Sequence, residues 1–220
     1  MVETGWWGRV HDETTGIAAV SSDAELRELV KEPHPAIAEK SIDRVDEQSC
    51  LFLSASPFFL LATTSSDGSL DVSPRGDPAG GVLVEDEGRT LVFADRPGNR
   101  RLDSLHNILR HPQVGMLFMV PGVNDTLRVN GTATIVREAP YFERLEVEGK
   151  RPDLAISVRI DELFLHCAKA FLRSSLWDPA RWPDRESVPS AGRIAKSQAG
   201  AKVPERVLNA ALKLDARWRR

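Results

Sequence analysis

Short apolar runs, separated by turn-forming residues, dominate the middle of the chain and predict β-strands. Asp67-Gly68 and Glu87-Gly88 each lie between two such runs, and Asp-Gly in that position is a strong hairpin signal. The predicted strands are Pro57–Thr64, Leu70–Pro74, Gly81–Asp86, Arg89–Asp95, Gln113–Val120, Leu127–Val136 and a segment within Leu154–His166. Several short strands with regular turns favour a barrel or a sandwich over a parallel α/β sheet.

Helical patterns flank and interrupt these strands. Leu102, Leu105, Ile108 and Leu109 recur at steps of three and four residues, which predicts one short helix between the fourth and fifth strands. The N-terminal segment predicts a helix after Ser22 and a second one from about 36 to 47, and an amphipathic helix is predicted near the C-terminus.

These patterns together predict a mainly β fold with flanking helices (α+β) and about six antiparallel strands. We expect a central domain over residues 51–180. Residues 1–50 form an N-terminal helical extension in this interpretation, and residues 181–220 form a C-terminal extension of loop and helix.

Composition restricts the classes of function. The 220 residues carry a net charge of −3 and two cysteines, so neither a basic nucleic-acid or membrane surface nor a disulfide framework is indicated. No apolar run is long enough to span a bilayer, and no secretory signal pattern is visible, so we expect a cytoplasmic protein. GxSxG, Walker A and GxGxxG patterns are absent from the sequence, which leaves serine-hydrolase, P-loop and Rossmann functions without support.

The two ends of the chain carry opposite charge. Residues 1–50 contain 11 acidic and 5 basic residues, and residues 181–220 contain 4 acidic and 10 basic residues. The two ends either pair with each other, within one chain or across a dimer, or remain as two solvated extensions.

The first candidate site is the segment from Asp71 to Gly81. Arg75 follows Ser73 and Pro74 where a strand leaves the sheet, a position from which its guanidinium could reach a bound anion. Gly76 allows the backbone to approach a ligand closely. The alternative is a polar turn that contains an Arg75–Asp77 ion pair.

The second candidate is the loop and helix start from Ala94 to Asn107. Arg96, Arg100 and Arg101 supply forked donors that match phosphate oxygens, and a helix N-terminus favours phosphate. Asn99 is the predicted N-cap. The alternative is an ordinary exposed helix start.

The third candidate lies on the strand Leu127–Val136. Arg128 and Asn130 alternate with Leu127 and Val129, so both polar side chains face away from the core, where they either meet a ligand or are solvated. Adjacent residues of a strand point to opposite faces, which argues against a shared role for His166 and Cys167.

These segments, in this order, resemble the pyridoxamine 5′-phosphate oxidase-like flavoprotein superfamily, and above all its uncharacterised branch of FMN-dependent enzymes. The resemblance is carried by Ser56–Asp77, Leu91–Phe118, Leu127–Ile135 and Phe164–Trp177. It implies a split β-barrel that forms a homodimer, with two FMN molecules at the subunit interface.

The resemblance also implies roles for particular residues. The strand with Val72, Ser73, Pro74 and Arg75 would lie along the flavin. The FMN phosphate would be bound by Arg100 and Arg101, with Asp95, Arg96, Asn99 and Ser104 nearby. Arg128 would reach the isoalloxazine ring or the substrate from a neighbouring strand.

The implied function is an FMN-dependent oxidoreductase for a small-molecule substrate that the sequence does not identify. The segment 181–220 lacks the histidine- and arginine-bearing substrate segment of the oxidases that act on pyridoxamine phosphate. No catalytic side chain or metal site is predicted. The alternatives are a non-catalytic protein that binds flavin, F420 or haem on the same barrel, and a barrel that binds nucleic acid or a protein partner.

Overall fold

The computed structural model describes residues 18–200 and 203–218, and the chain divides into two compact units, Met1–Lys40 and Ser41–Arg220. The first unit contains the helices α1 (Asp23–Leu29) and α2 (Pro35–Ala38). The Ser22 side chain caps α1 by accepting a hydrogen bond from the Glu25 N–H, as predicted.

The second predicted helix is much shorter than expected, since α2 ends at Ala38. The residues that follow satisfy their backbone groups elsewhere: Ile42 forms a two-way bridge with Leu163, and the Val45 N–H donates to the Gly88 carbonyl. Asp46 then caps a new helix, α3 (Glu47–Ala55).

The second unit is built on seven antiparallel strands, and each of the predicted strands is present. They are β1 (Phe58–Thr64), β2 (Leu70–Gly76), β3 (Val82–Glu85), β4 (Thr90–Ala94), β5 (Gln113–Met119), β6 (Thr126–Val136) and β7 (Ala155–His166). The helix α4 (Asp103–Arg110) connects β4 to β5. Three further helices follow β7: α5 (Lys169–Ser174), α6 (Ala191–Ala199) and α7 (Glu205–Trp218). The mainly β fold with flanking helices is therefore confirmed.

The sheet runs in the order β2-β1-β5-β6-β7-β4-β3 and curls around one apolar core. Phe59 of β1 lies against Phe93 of β4 with ring centroids 4.9 Å apart, although three strands separate β1 from β4 in the sheet. Phe118 of β5 lies 4.8 Å from Phe59 on the other side. Edge-to-face and tilted ring contacts of this kind add to the hydrophobic stabilisation and bring the two ends of the sheet together.

The barrel remains split, because among the described residues no backbone ladder joins β2 to β3 or β4. The helix α4 packs against β1, β2 and β6, with Ser104, Leu105, Asn107 and Ile108 all buried. Proline 74 suits the edge position of β2, since a proline has no N–H for a second ladder.

A bulge at Gly131 lets β6 and β7 bend into the barrel. The β6–β7 register shifts between Asn130 and Gly131, and bulges of this kind increase strand bending and twist. A Cβ at Gly131 would overlap the Arg159 carbonyl oxygen and lie 2.8 Å from Val158 Cγ1. Only glycine fits at this position.

We predict that Gly131→Ala lowers the free energy of unfolding by about 2 kcal/mol or more, as expected for a forced overlap with backbone. Gly115→Ala is the matched strand control, since its Cβ would meet nothing closer than 3.4 Å. Urea denaturation of both variants measures the difference. Equal losses of stability would contradict the assigned role of the bulge.

The C-terminal extension forms a helix pair. The Asn209 side chain of α7 accepts from the Gly192 N–H of α6 and donates to Ser190. The predicted amphipathic helix is present as α7, and its apolar side chains Val207, Leu212 and Leu214 are exposed to solvent. The pairing of the two chain ends stays a prediction.

Candidate functional site

A cleft opens where the barrel is split. It is bordered by the end of β2, the start of β3, the end of β4 and the loop Arg96–Gly98. The cleft contains about 210 Å³ of space, whereas pockets that enclose drug-sized ligands hold about 300–1,000 Å³. One chain therefore offers one wall and a recess for such a ligand rather than an enclosing pocket.

Two ion pairs cross the split beside this cleft. Arg75 of β2 donates to Asp95 after β4 at 2.8 Å. Arg96 contacts both carboxylate oxygens of Asp77 at 2.9–3.0 Å and donates to the Leu145 carbonyl at 2.7 Å. The alternative Arg75–Asp77 pair from the sequence is wrong, because each arginine reaches across the gap instead of along its own strand.

The Arg75 guanidinium has a hydrogen-bond donor that no described residue accepts from. Its side chain is 19% exposed, and its Nε is buried without a hydrogen-bond partner among the described residues. A buried donor of this kind is costly and requires an explanation. Arg75 thus lines the cleft with one buried donor unused, while Asp95 balances its charge.

Hydroxyl and carboxylate groups tie β2 to α4. Ser104 Oγ donates to Asp71 Oδ2 at 2.9 Å and lies 3.0 Å from Ser73 Oγ. Deeper in the barrel, Asn107 donates to Thr63 of β1. These bonds fix the start of α4 against Asp71 and Ser73. Together with Arg75, these two side chains face the inside of the barrel, and we call the three the inward row of β2.

The loop before α4 contains two residues in left-handed backbone, only one of which is an arginine. Arg100 and Leu102 both have left-handed φ angles, 62° and 60°, which cost a non-glycine residue about 1–2 kcal/mol each. The Asn99 side chain accepts from the Arg101 N–H. The predicted N-cap role of Asn99 is therefore wrong: Leu102 occupies the cap position without a side-chain cap.

The uncapped helix start leaves backbone N–H groups of the first turn available to an anion. Arg101 pairs with Asp103 at 2.7 Å, and this hydrogen bond raises the pKa of Arg101. Arg100 has no hydrogen bond or ion pair among the described residues. The loop therefore carries one compensated and one uncompensated guanidinium.

A second groove lies at the opposite end of β2, between the β1–β2 turn and α4. It is lined by Ser65, Ser69, Leu70, Asp71, Arg101, Asp103, His106, Asn107 and Arg110. Asp71 and Arg75 are four strand residues apart, about 13 Å at the rise of a β-strand. The two recesses thus lie at the two ends of the inward row of β2.

The structure places most of the predicted site residues along this row, but not all of them. Ser73, Arg75, Asp95, Arg96 and Ser104 are brought together at the split by the contacts described above, and Asn99, Arg100 and Arg101 lie on the loop that enters α4. Val72 and Pro74 alternate with them and are exposed on the other face of β2.

Arg128 lies apart from this group. It is exposed on β6 opposite the buried Leu127 and Val129, and β1 and β5 stand between β6 and β2. Three strand spacings are about 14 Å, and the sheet itself separates the outward Arg128 from the inward row. Within one chain, Arg128 and Arg101 do not face the same space.

Sequence reasoning missed several residues of the site. Asp77 and the Leu145 carbonyl bind Arg96, and Asp71 accepts from Ser104. The alternation along β2 places Asp71, Ser73 and Arg75 on one face, so this signal could have identified Asp71. The Leu145 carbonyl carries no signal in the sequence, because its position depends on the folded turn Phe142–Leu145.

The fold is a split β-barrel with an arginine-bearing loop before α4, and comparison with known proteins gives the family. Residues 45–167, more than half of the chain, match the family of pyridoxamine 5′-phosphate oxidase. The chain belongs to this family. Curated proteins provide no match.

The solved structures that this chain resembles are distant from it in sequence. HupZ of Group A Streptococcus, in its H111A form, is 15% identical over 56% of this chain and 99% of its own, with a TM-score of 0.45. An F420 reductase is 21% identical over 55% and 98% of the chains, with a TM-score of 0.41. The haem storage protein HutZ of Vibrio cholerae is 16% identical over 56% and 94%, with a TM-score of 0.40.

Within residues 18–200 and 203–218, no helix is long and apolar enough to cross a membrane. The same residues contain no group of three or more histidine, cysteine or acidic side chains that could hold a metal ion.

We predict that the strain at position 100 depends on side-chain type. Arg100→Gly should leave the free energy of unfolding nearly unchanged, because glycine adopts left-handed φ without a steric cost but has more freedom when unfolded. Arg100→Val should lower it by at least about 1 kcal/mol relative to Arg100→Gly, because a β-branched residue resists this conformation. Urea denaturation of both variants is the measurement, and equal stabilities would contradict a strained loop.

Proposed function

We propose that this protein is an FMN-dependent oxidoreductase that acts on a small-molecule substrate as a homodimer, with the flavin between the subunits. The observation that carries the proposal is the arrangement along β2. A phosphate-type loop lies near one end of its inward row, and a guanidinium with unused hydrogen-bonding capacity lies at the other.

The phosphate end of the proposed site is the loop Asn99–Leu102 with the start of α4. Arg100 and Arg101 would bind the phosphate by charge-assisted hydrogen bonds, and the uncapped N–H groups of α4 would add donors. Asn99 shapes the loop through the Arg101 N–H, and Ser104 links it to β2.

The ring end of the proposed site is the free edge of β2 with the cleft beside it. An edge strand presents unpaired N–H and C=O groups, and these match the alternating donors and acceptors of a flavin pyrimidine ring. Val72, Ser73 and Pro74 would provide this edge. Arg75 would donate to a carbonyl of the ring while Asp95 holds the guanidinium in place.

The residues present therefore suit the flavin. When bound, FMN supplies hydride chemistry, and the chain supplies binding, orientation and electrostatics. Arg75 and Arg128 would stabilise negative charge on the reduced ring. In this proposal Arg96 holds the walls of the cleft together and leaves the phosphate to Arg100 and Arg101, because its donors already face Asp77 and Leu145.

A homodimer is part of the proposal because one chain presents the proposed flavin-binding groups, the inward row of β2 and Arg128, on opposite faces of its sheet. Arg128 faces outward, where Leu70 and Val72 are also exposed at 77% and 59%. Exposed apolar side chains on one sheet face favour an interface. A second copy seated there would cover them and bring its Arg128 to the flavin bound along β2.

The visible spectrum of the purified protein tests the choice of cofactor. We expect the absorption of oxidised FMN, bleached on anaerobic addition of NADPH or reduced F420. A deazaflavin or haem spectrum would replace FMN by that cofactor, and bound flavin that no donor reduces would favour a non-catalytic binding protein. No cofactor after reconstitution with FMN would contradict the proposal.

We predict that Arg101→Ala weakens FMN binding at least tenfold, since a hydrogen bond between charged groups contributes about 1.5–3 kcal/mol. Titration of the apoprotein with FMN, followed by quenching of flavin fluorescence, measures the affinity. Arg159→Ala is the control, because it removes an exposed, paired arginine from β7. Unchanged affinity in Arg101→Ala would remove this residue from the site.

A further inference from the structure

The end of β7 and the following helix carry basic side chains that lack acidic partners. His166, Lys169 and Arg173 are all exposed, and none of their side chains has a hydrogen bond or an ion pair among the described residues. We call these three residues the β7–α5 basic cluster.

Arg128 extends this cluster along the outer face of the sheet. It stands opposite Phe164 in the β6–β7 register, with its Cζ 5.5 Å from the centre of the Phe164 ring. The Phe164 and His166 rings are 6.2 Å apart. Lys169 and Arg173 are four residues apart on α5, a spacing that places two side chains on one helix face.

The absence of carboxylate partners here contrasts with other parts of the chain. Nine exposed arginines among the described residues form ion pairs: Arg27, Arg44, Arg89, Arg101, Arg144, Arg151, Arg159, Arg181 and Arg193. Arg128 Nε donates to the Asn130 side chain at 3.5 Å, and Asn130 donates to Glu162, so the nearest carboxylate reaches Arg128 only through an amide. Asp178 pairs with Arg181. Neighbouring like charges repel one another unless an anion lies between them.

Aromatic residues back the cluster and fix its helix. The Phe171 and Trp177 rings stack with centroids 5.9 Å apart, and the Trp177 Nε1–H donates to the Val123 carbonyl at 2.9 Å. This bond ties the turn after α5 to the loop before β6. The helix that carries Lys169 and Arg173 is therefore fixed by this bond, and Arg128 lies over the Phe164 ring, a surface that suits an organic anion.

We propose that the β7–α5 basic cluster, with Arg128 beside it, binds the oxyanion group of a small organic molecule, either a phosphate or a carboxylate. Lysine and arginine side chains favour both groups through charge-assisted hydrogen bonds. The binding site stands on these contacts whether or not the protein holds a flavin. If the proposed function is correct, the cluster adjoins Arg128 and becomes the site for the anionic group of the substrate.

The test is an NMR titration of the full-length protein as purified, in which the imidazole signals report on the cluster directly. The His166 signal is assigned by its loss in His166→Gln. Inorganic phosphate is added in one arm and succinate in the other, at constant pH and ionic strength. We expect a saturable shift of the His166 signal in at least one arm, and the responding arm identifies the oxyanion.

Two double variants locate the site. Lys169→Gln with Arg173→Gln should weaken the apparent affinity for the responding anion, phosphate or succinate, at least tenfold. Lys196→Gln with Arg206→Gln removes the same charge from α6 and α7 and should change it less than twofold. A His166 signal that responds to neither anion, or equal losses in both double variants, would overturn the proposal. Flavin binding is measured separately on the same samples, so failure of this site is distinguished from failure of the proposed function.

Discussion

Two ion pairs connect the edges of the sheet at the split, where no backbone ladder joins them among the described residues. Arg75–Asp95 and Arg96–Asp77 join β2 to the end of β4, and all four side chains are largely buried, with exposed fractions between 18% and 24%. Removing one partner of a buried pair costs about 3–5 kcal/mol, because the other charge is left uncompensated. The edges of the sheet are therefore held at a fixed distance by side chains, which leaves the backbone edge of β2 and the cleft beside it open to a ligand.

This arrangement explains why the candidate site is incomplete in one chain. The start of α4 is bonded to Asp71 and Ser73 of β2, so the loop before α4 and the inward row of β2 share one side of the sheet. Arg128 stands on the other side. A curled sheet cannot bring its two faces to one ligand, whereas a second copy can present its outer face to the first.

Much of this fold could be predicted from the sequence, because it follows from local patterns. Alternation of apolar residues and the Asp67-Gly68 turn give the strands, and the steps between Leu102 and Ile108 give α4. The split barrel and the family follow from the resemblance, which the family match confirms.

The remaining features depend on contacts that no local pattern specifies. The second N-terminal helix is short because Ile42 pairs with the distant Leu163, and Asn99 is not a cap because Leu102 adopts a left-handed φ. The partners of Arg75 and Arg96 lie about 20 positions away in sequence and are fixed only when the barrel curls. The cofactor-binding roles of the candidate residues stay a prediction, and their division between the two faces of the sheet became visible only in the structure.

The most direct test of the central claim, that two chains together form each flavin site, is complementation between two variants. Arg101→Ala and Arg128→Ala are produced with different affinity tags, and the mixed dimer is isolated by selecting both tags. The account predicts weak FMN binding by each variant alone and one site of native affinity per mixed dimer, because one of its two sites retains both arginines. A mixed dimer that binds FMN no better than its parents, or a folded monomer that binds FMN with native affinity, would contradict it.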